Sequence, residues 1–167
     1  TKEIAETVDY RNFHEYNHIT DEAAEIVKDR SSLCLNGLIK LSDAAAESLS
    51  KFQGFRGELN GLIKLSDAAA ESLSKFQGRY SGAELSLNGL TELSDAAVES
   101  LCKNPNIKFT KGLSKLSDVA AESLSNFEGK PLEFDALTEL SDAAAESLAK
   151  YLSEKPKGSS GKVLALN

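Results

Sequence analysis

An exact internal repeat is the feature of this sequence that most constrains its fold. The letters LNGLIKLSDAAAESLSKFQG fill residues 35–54 and then fill residues 59–78 again. A period of about 20 to 50 residues is typical of repeat architectures, in which each unit packs only on its neighbours along the chain. The sequence therefore indicates a fold made of stacked copies of one short unit.

The dipeptide Ser-Asp marks each copy of this unit. Its serines are separated by 24, 28, 23 and 24 residues, and they are Ser42, Ser66, Ser94, Ser117 and Ser141. A weaker copy of the same string begins at Thr20, and the final letters KVLALN repeat the start of the unit that contains Ser94. We predict a degenerate or capping unit over residues 1–30, a repeat array over 31–161, and the start of a further, truncated repeat at 162–167.

Composition and charge narrow the class of protein. Of the 167 residues, 41% are hydrophobic and 27% are charged, which is enough apolar sequence for a folded domain. The formal net charge of -7 argues against nucleic acid or an anionic membrane surface as a partner, because both bind clustered lysine and arginine. No apolar run approaches the roughly 18 residues of a membrane-spanning helix. We expect neither a nucleic-acid nor a membrane partner, and the sequence leaves the cellular location open.

Each unit is predicted to contain a short strand followed by a short helix. In the letters LSLN of residues 85–88, apolar and polar positions alternate, as in a half-buried strand. A glycine bend follows, and the serine of Ser-Asp is a strong helix N-cap. After that cap, Ala45, Leu49 and Phe52 fall at helical spacing and form one apolar stripe. Three glycines after the helices, Gly54, Gly78 and Gly129, are predicted to end them in the left-handed conformation.

A strand, a glycine bend, a capped helix and a return loop within about 24 residues resemble the leucine-rich repeat family, and most closely its bacterial varieties. The resemblance implies an α/β solenoid of horseshoe shape, with a parallel concave sheet and short helices on the convex side. The family often has asparagine where Leu38, Leu62 and Leu90 stand in this chain. We therefore expect surface positions, rather than the family's asparagine ladder, for Asn36, Asn60 and Asn88.

Two insertions and one irregular unit interrupt the pattern. Four extra residues around 79–82 account for the 28-residue spacing, and a longer insertion occupies 153–161. In the unit of Ile107 and Phe109 the apolar pair lies one residue further from the next leucine, Leu113, which predicts a bulge or an altered bend. Loops accept such changes of length at little cost, although insertions in repeat arrays sometimes bind partners.

The histidines and cysteines offer little support for catalysis. His14-Glu15-Tyr16-Asn17-His18 matches the zinc-metallopeptidase pattern H-E-x-x-H, which needs both histidines on one helix face. Alignment of Thr20 with Ser42 places this string on a strand and a bend, so we expect no metal site. The two cysteines, Cys34 and Cys102, fall on a strand and on a helix two units away, beyond the roughly 7 Å that a disulfide spans. We expect free thiols.

These observations favour a non-catalytic protein-binding or scaffolding module without a cofactor. We predict that binding uses the concave face, and the candidate residues, all at outward strand positions, are Cys34, Asn36, Glu58, Asn60, Ser86, Asn88, Glu133 and Asp135. The alternative is a structural repeat array that self-assembles end to end, which the near-identity of the first two units favours. A zinc metallopeptidase is a distant third.

Overall fold

The computed structural model describes residues 17–129, 132–153 and 164–166, in which helices and strands alternate along the chain. The helices are α1 (Asp21–Val27), α2 (Asp43–Ser50), α3 (Asp67–Ser74), α4 (Asp95–Cys102), α5 (Asp118–Ser125) and α6 (Asp142–Ser153). The strands are β1 (Ser32–Cys34), β2 (Arg56–Glu58), β3 (Glu84–Ser86), β4 (Ile107–Lys108), β5 (Leu132–Phe134) and β6 (Leu164–Leu166). Each helix packs on the next one along the chain, so the molecule consists of repeated helix–strand units.

The first four strands form an open parallel sheet in the order β1-β2-β3-β4, which is neither closed nor curled. The register joins equivalent positions of successive units, as in the pairing of Leu33 with Gly57 and of Gly57 with Leu85. Strands β5 and β6 form a second, two-stranded parallel sheet, with Leu132 opposite Leu164. A strand at Leu164 and Leu166 was expected from the sequence, and this prediction is confirmed.

The break between β4 and β5 departs from the expected single sheet. It coincides with the irregular unit, in which Leu113 follows Phe109 by four residues, whereas Leu90 follows Leu87 by three. The additional residue at the bend accompanies a buried Thr110, whose Oγ1 accepts the backbone N–H of Glu133 at 3.2 Å. Because the Glu133 N–H bonds the Thr110 side chain, it does not bond the backbone of β4. The predicted altered bend is therefore present, at the point where the sheet is interrupted.

The predicted N-caps are all present and they also join neighbouring units. Ser66 Oγ accepts the backbone N–H of Ala69 at 3.1 Å and donates to Asp43 Oδ1, on the preceding helix, at 2.5 Å. The same two bonds are made by Ser42, Ser94, Ser117 and Ser141. Capping satisfies a backbone donor that the helix leaves open, and the second bond links the helix N-termini into a continuous Ser–Asp ladder.

The core is the apolar stripe of each helix packed against the strand leucines. The predicted set is buried in both exact repeats, and it comprises Ala45, Leu49, Phe52, Ala69, Leu73 and Phe76. The rings of Phe52 and Phe76 stack with their centroids 6.2 Å apart. Because helices of eight residues are marginal alone in water, burial of these stripes between units must hold them in place.

The predicted glycine stops are wrong. The helices end at residues such as Lys51 and Lys75, which have negative φ, and neither Gly54 nor Gly129 has a positive φ. Gly78 does have a φ of +61°, but it lies beyond the end of α3. Gly54 is required for a different reason, because a Cβ there would overlap the Phe52 ring and the backbone carbonyl of Ser31, one repeat earlier. Close approach between units, rather than helix termination, explains this glycine.

Candidate binding face of the parallel sheet

The side chains on one face of the four-stranded sheet form rows that run across the strands. The register places Cys34 beside Glu58, Glu58 beside Ser86, and Ser86 beside Lys108. The core leucines alternate with these positions and point to the opposite side, where the helices lie. The sheet therefore brings together the predicted residues of β1, β2 and β3, whereas Glu133 belongs to the separate sheet.

The three asparagines beyond these strands form a ladder between units, contrary to the expectation that they are simple surface residues. Asn36 Oδ1 accepts the backbone N–H of Asn60 at 2.9 Å, and Asn60 Oδ1 accepts the backbone N–H of Asn88 at 2.9 Å. All three are half-buried. The side-chain oxygens of Asn36 and Asn60 take the place of water as hydrogen-bond acceptors for these backbone N–H groups. Buried polar groups in folded proteins generally have such a partner. The ladder lies two residues before Leu38, Leu62 and Leu90 in each unit.

Glu58 is the centre of a charged cluster on this face. Its Oε2 accepts a hydrogen bond from Asn36 Nδ2 at 2.8 Å and lies 3.8 Å from Cys34 Sγ, and its Oε1 accepts from Arg56 Nε at 2.6 Å. The hydrogen bond from Asn36 lowers the pKa of the Glu58 carboxyl, against the opposing effect of desolvation, and Arg56 lowers it further. The cluster thus holds a carboxylate in its charged form with its orientation fixed.

The side chain of Ser86 is buried beneath those of Asn60 and Asn88. Its hydroxyl donates to Asn60 Oδ1 at 2.7 Å and accepts from Asn88 Nδ2 at 3.0 Å, and its exposed fraction is only 7%. A partner on this face would therefore touch Asn60 and Asn88, and Ser86 would position them. Sequence alternation alone could not distinguish a buried outward position from an exposed one.

Several residues of this face were missed by the sequence analysis. Lys108 follows Ser86 in its row and its Nζ lies 3.2 Å from Glu84 Oε2. Lys111 Nζ lies 2.9 Å from Asp135 Oδ2 and 3.6 Å from Glu133 Oε2, and the hydrogen bond that Lys111 donates to Asp135 raises the pKa of Lys111. These lysines offset the acidic residues, so the face is less acidic than the candidate set suggested. The alternation in residues 107–110 was the signal that could have found Lys108.

Two further predictions concern histidine and cysteine. His14, Glu15 and Tyr16 lie outside the described residues. His18 is described, and it precedes α1 with its Nδ1 2.9 Å from Asn17 Oδ1, so the prediction that it lies off a helix is confirmed. The described residues contain no group of three or more metal-ligating side chains. Both cysteines are free thiols, as expected, and burial raises the pKa of Cys102 to about 12.

No protein-family model matches the chain, and no curated protein matches it. Within the part of the chain that the structure describes, none of the helices has the length and apolar content to cross a membrane. The fold therefore defines a protein of repeated helix–strand units with a parallel sheet, and the polar face of that sheet is its candidate functional site.

Proposed function

We propose that this chain is a leucine-rich-repeat module that binds another protein without catalysing a reaction. In this proposal the units form the solenoid of that family, and the polar face of the four-stranded sheet is the binding surface. The residues that would meet the partner are Asn36, Glu58, Asn60, Asn88 and Lys108, with Glu133 and Asp135 extending the surface past the break. Cys34 and Ser86 would support them from below.

The observation that carries the proposal is the fixed arrangement of polar groups on this face. Asn36, Glu58 and Asn60 are joined by hydrogen bonds of 2.8 and 2.9 Å, and the side chain of Glu58 is 19% exposed. Groups held in place before binding lose little conformational entropy when a partner docks, which favours affinity. Complementary polar and charged groups on such a face also favour specificity for one partner.

A pair of charge swaps tests this proposal without changing the net charge. In the sheet-face variant, Lys108→Glu is combined with Glu133→Lys. In the matched helix-face variant, Lys51→Glu is combined with Glu47→Lys, a pair whose Nζ and Oε1 atoms lie 3.1 Å apart on the outer side of α2. The proposal is supported if proteins are captured by the wild type and by the helix-face variant but not by the sheet-face variant. Capture that both variants lose equally would contradict it.

A self-assembling structural array is the second candidate, and one feature of α6 favours it. Ala145 and Ala149 are exposed on α6, whereas the equivalent residues of α2, Ala46 and Ser50, are buried against the next helix. Asp142 is exposed at the start of α6, at the position where earlier aspartates accept a serine hydroxyl from the next unit. A second copy could pack on this face of α6 through the same helix contacts and Ser–Asp hydrogen bonds that join neighbouring units.

Sedimentation over a wide range of protein concentration distinguishes this candidate. The array predicts self-association that Ala145→Glu reduces, because a charged side chain would enter the helix contact. The equivalent change on an already solvated helix face, Ala44→Glu, is the matched control. A strictly monomeric wild type at high concentration would contradict the array.

A further inference from the structure

The edge of the sheet at which the parallel strands begin carries an unusual pair of exposed aromatic side chains. Phe55, immediately before β2, is 53% exposed, and Tyr80, shortly before β3, is 56% exposed. The other described aromatic residues are buried, and they are Phe52, Phe76, Phe109, Phe127, Phe134 and Tyr151. Because β2 and β3 are paired neighbours, both exposed rings project from the same edge of the sheet.

The backbone under these two side chains is well defined. Phe55 donates its N–H to Ser31 O at 3.0 Å and its carbonyl accepts the N–H of Glu84 at 2.9 Å. Tyr80 O accepts the N–H of Ala83 at 3.0 Å, which closes a turn over the four inserted residues. The chain is therefore fixed at both aromatic positions, although neither ring is covered.

The turn around Tyr80 is built by two glycines. Gly78 and Gly82, at φ values of +61° and +84°, are the positive-φ residues of the described chain. Gly78 also lies so near the preceding unit that an added Cβ would be 3.3 Å from Gly54 O. The insertion that gives the 28-residue spacing thus packs beside the segment of Phe55, and Tyr80 lies in this insertion.

Arginine is concentrated at the same edge. The chain has four arginines in its sequence, Arg11, Arg30, Arg56 and Arg79. Arg79 is exposed next to Tyr80 and makes no ion pair with the described residues. Arg56 follows Phe55, and its side chain is 63% exposed although its Nε bonds Glu58. Glu58 is ion-paired with Arg56 and Glu84 with Lys108, so Arg79 is the cation at this edge without an ion pair among the described residues. In a chain of net charge -7, this positive charge would favour an acidic partner here over the rest of the surface.

The geometry points to a docking site for an acidic segment of a partner protein at the aromatic–arginine patch of Phe55, Arg56, Arg79 and Tyr80. Tyrosine and arginine are, with tryptophan, the residues enriched at the energetic centres of protein interfaces, because they combine large apolar contact with hydrogen bonding. The patch would hold an apolar side chain of the partner against Phe55 and Tyr80, while Arg56 and Arg79 bind its carboxylates. This inference rests on the proposed protein-binding function and adds a second contact area at the sheet edge.

The probe is a fluorescein-labelled peptide of about ten residues that alternates glutamate with leucine, since acidic recognition motifs are commonly short and bound by arginine clusters. Fluorescence anisotropy should show that the wild type binds it more tightly than a peptide that alternates lysine with leucine. Tyr80→Ala and Arg79→Ala should each raise the Kd about tenfold or more, the loss typical of a central contact. Ile63→Ser is the control, because Ile63 is 50% exposed and lies in the bend after β2, at the opposite end of that strand.

The outcomes separate the two proposals. Equal effects of Tyr80→Ala and Ile63→Ser, or no binding of the acidic peptide, would overturn the patch. If the acidic peptide does not bind and Tyr80→Ala abolishes self-association, the patch as a site for an acidic partner is also overturned. A second copy of this chain would then be its occupant. If peptide binding depends on Tyr80 but is unaffected by the combined Lys108→Glu and Glu133→Lys swap, the patch is supported. If protein capture is also unaffected by that swap, the sheet face is rejected as the binding surface. A thermal unfolding midpoint equal to that of the wild type shows that each exposed variant is folded.

Discussion

Ser66 Oγ donates a hydrogen bond to Asp43 Oδ1 over 2.5 Å and thereby joins the N-terminus of α3 to that of α2. The same oxygen caps its own helix by accepting the N–H of Ala69. One short side chain therefore defines where a helix begins and also which unit lies beside it. The recurrence of this bond at each following Ser-Asp dipeptide explains why the dipeptide is the most regular part of the sequence.

A double-mutant cycle measures this bond. Ser66→Ala should lower the free energy of unfolding by about 1 kcal/mol, the usual cost of losing a helix cap. Combined with Asp43→Ala, its effect should be smaller than the sum of the single losses by about 0.5 kcal/mol or more. Ser66→Ala combined with Asp142→Ala, at a distant helix, should be additive. Additive urea-denaturation energies in both cycles would show that the Ser–Asp ladder contributes nothing to stability.

The asparagine ladder gives a second prediction. Asn60→Ala removes the acceptor of both the Asn88 N–H and the Ser86 hydroxyl, and it should lower the free energy of unfolding by about 1 to 3 kcal/mol, the cost of leaving such groups unpaired. Asn126→Ala is the matched control, since this exposed amide makes one bond of 3.3 Å within its own unit and should change stability by less than about 0.5 kcal/mol. Chemical denaturation measures both, and equal losses would contradict the ladder.

The helix stripe gives a third prediction. Leu73 is 0% exposed, so Leu73→Ala should lower the free energy of unfolding by about 2 to 5 kcal/mol through lost burial and a residual cavity. Ser72→Ala, one residue earlier and outside the stripe, should change it by less than about 0.5 kcal/mol. Urea denaturation of the two variants at matched concentration compares them directly. Similar losses would mean that α3 packs with a different face.

The local features of this fold could be predicted from sequence, whereas the contacts between units could not. Ser66 and Leu73 were assigned correctly because capping and helical spacing depend on residues within one unit. The role of Asn60 was missed because it depends on where the next strand lies. The break after β4 was foreseen only as an altered bend, since an extra residue near Thr110 does not reveal which hydrogen bonds it replaces.

On the candidate face, too, positions within one strand could be predicted from sequence, whereas contacts between strands could not. Alternation placed Glu58 and Ser86 on the correct side of the sheet, since side chains of a strand alternate between faces. It could not show that Ser86 is buried under two asparagines, or that Asn36 lies against the Glu58 carboxylate. These facts arise from the separation of neighbouring strands, where side chains at equivalent positions meet.

The charge state of Glu58 provides a pH-dependent prediction. Its pKa is lowered in the folded protein, so its contribution to stability is present above the ordinary carboxyl pKa of 4.5 and is lost as the pH falls through the lower folded value. The stability difference between the wild type and Glu58→Gln should therefore shrink on acidification. In Asn36→Ala the pKa of Glu58 should rise, as carboxyl NMR titration would show. An unchanged pKa would contradict the assignment of Asn36 as the main cause.

Cys102 should react slowly with alkylating reagents in the folded protein. The residue is half-buried, and desolvation raises the pKa of its thiol to about 12, so almost none of the reactive thiolate is present at pH 8. Mass spectrometry of iodoacetamide-treated protein should show that labelling of Cys102 becomes fast only when urea unfolds the chain. Rapid labelling under native conditions would indicate that α4 is less tightly packed than the structure shows.

Carboxyl footprinting of a captured complex is the most direct test of the sheet face as a binding surface. Carbodiimide coupling labels exposed carboxylates, and the sheet side and the helix side of the chain both provide them. Binding of the partner should protect Glu58 and Glu84 on the four-stranded sheet, and Glu133 and Asp135 beyond the break, while the helix-side carboxylates Glu47, Glu71 and Glu99 keep their reactivity. Protection of the helix-side set with full reactivity at the four sheet-side carboxylates would contradict the proposed function.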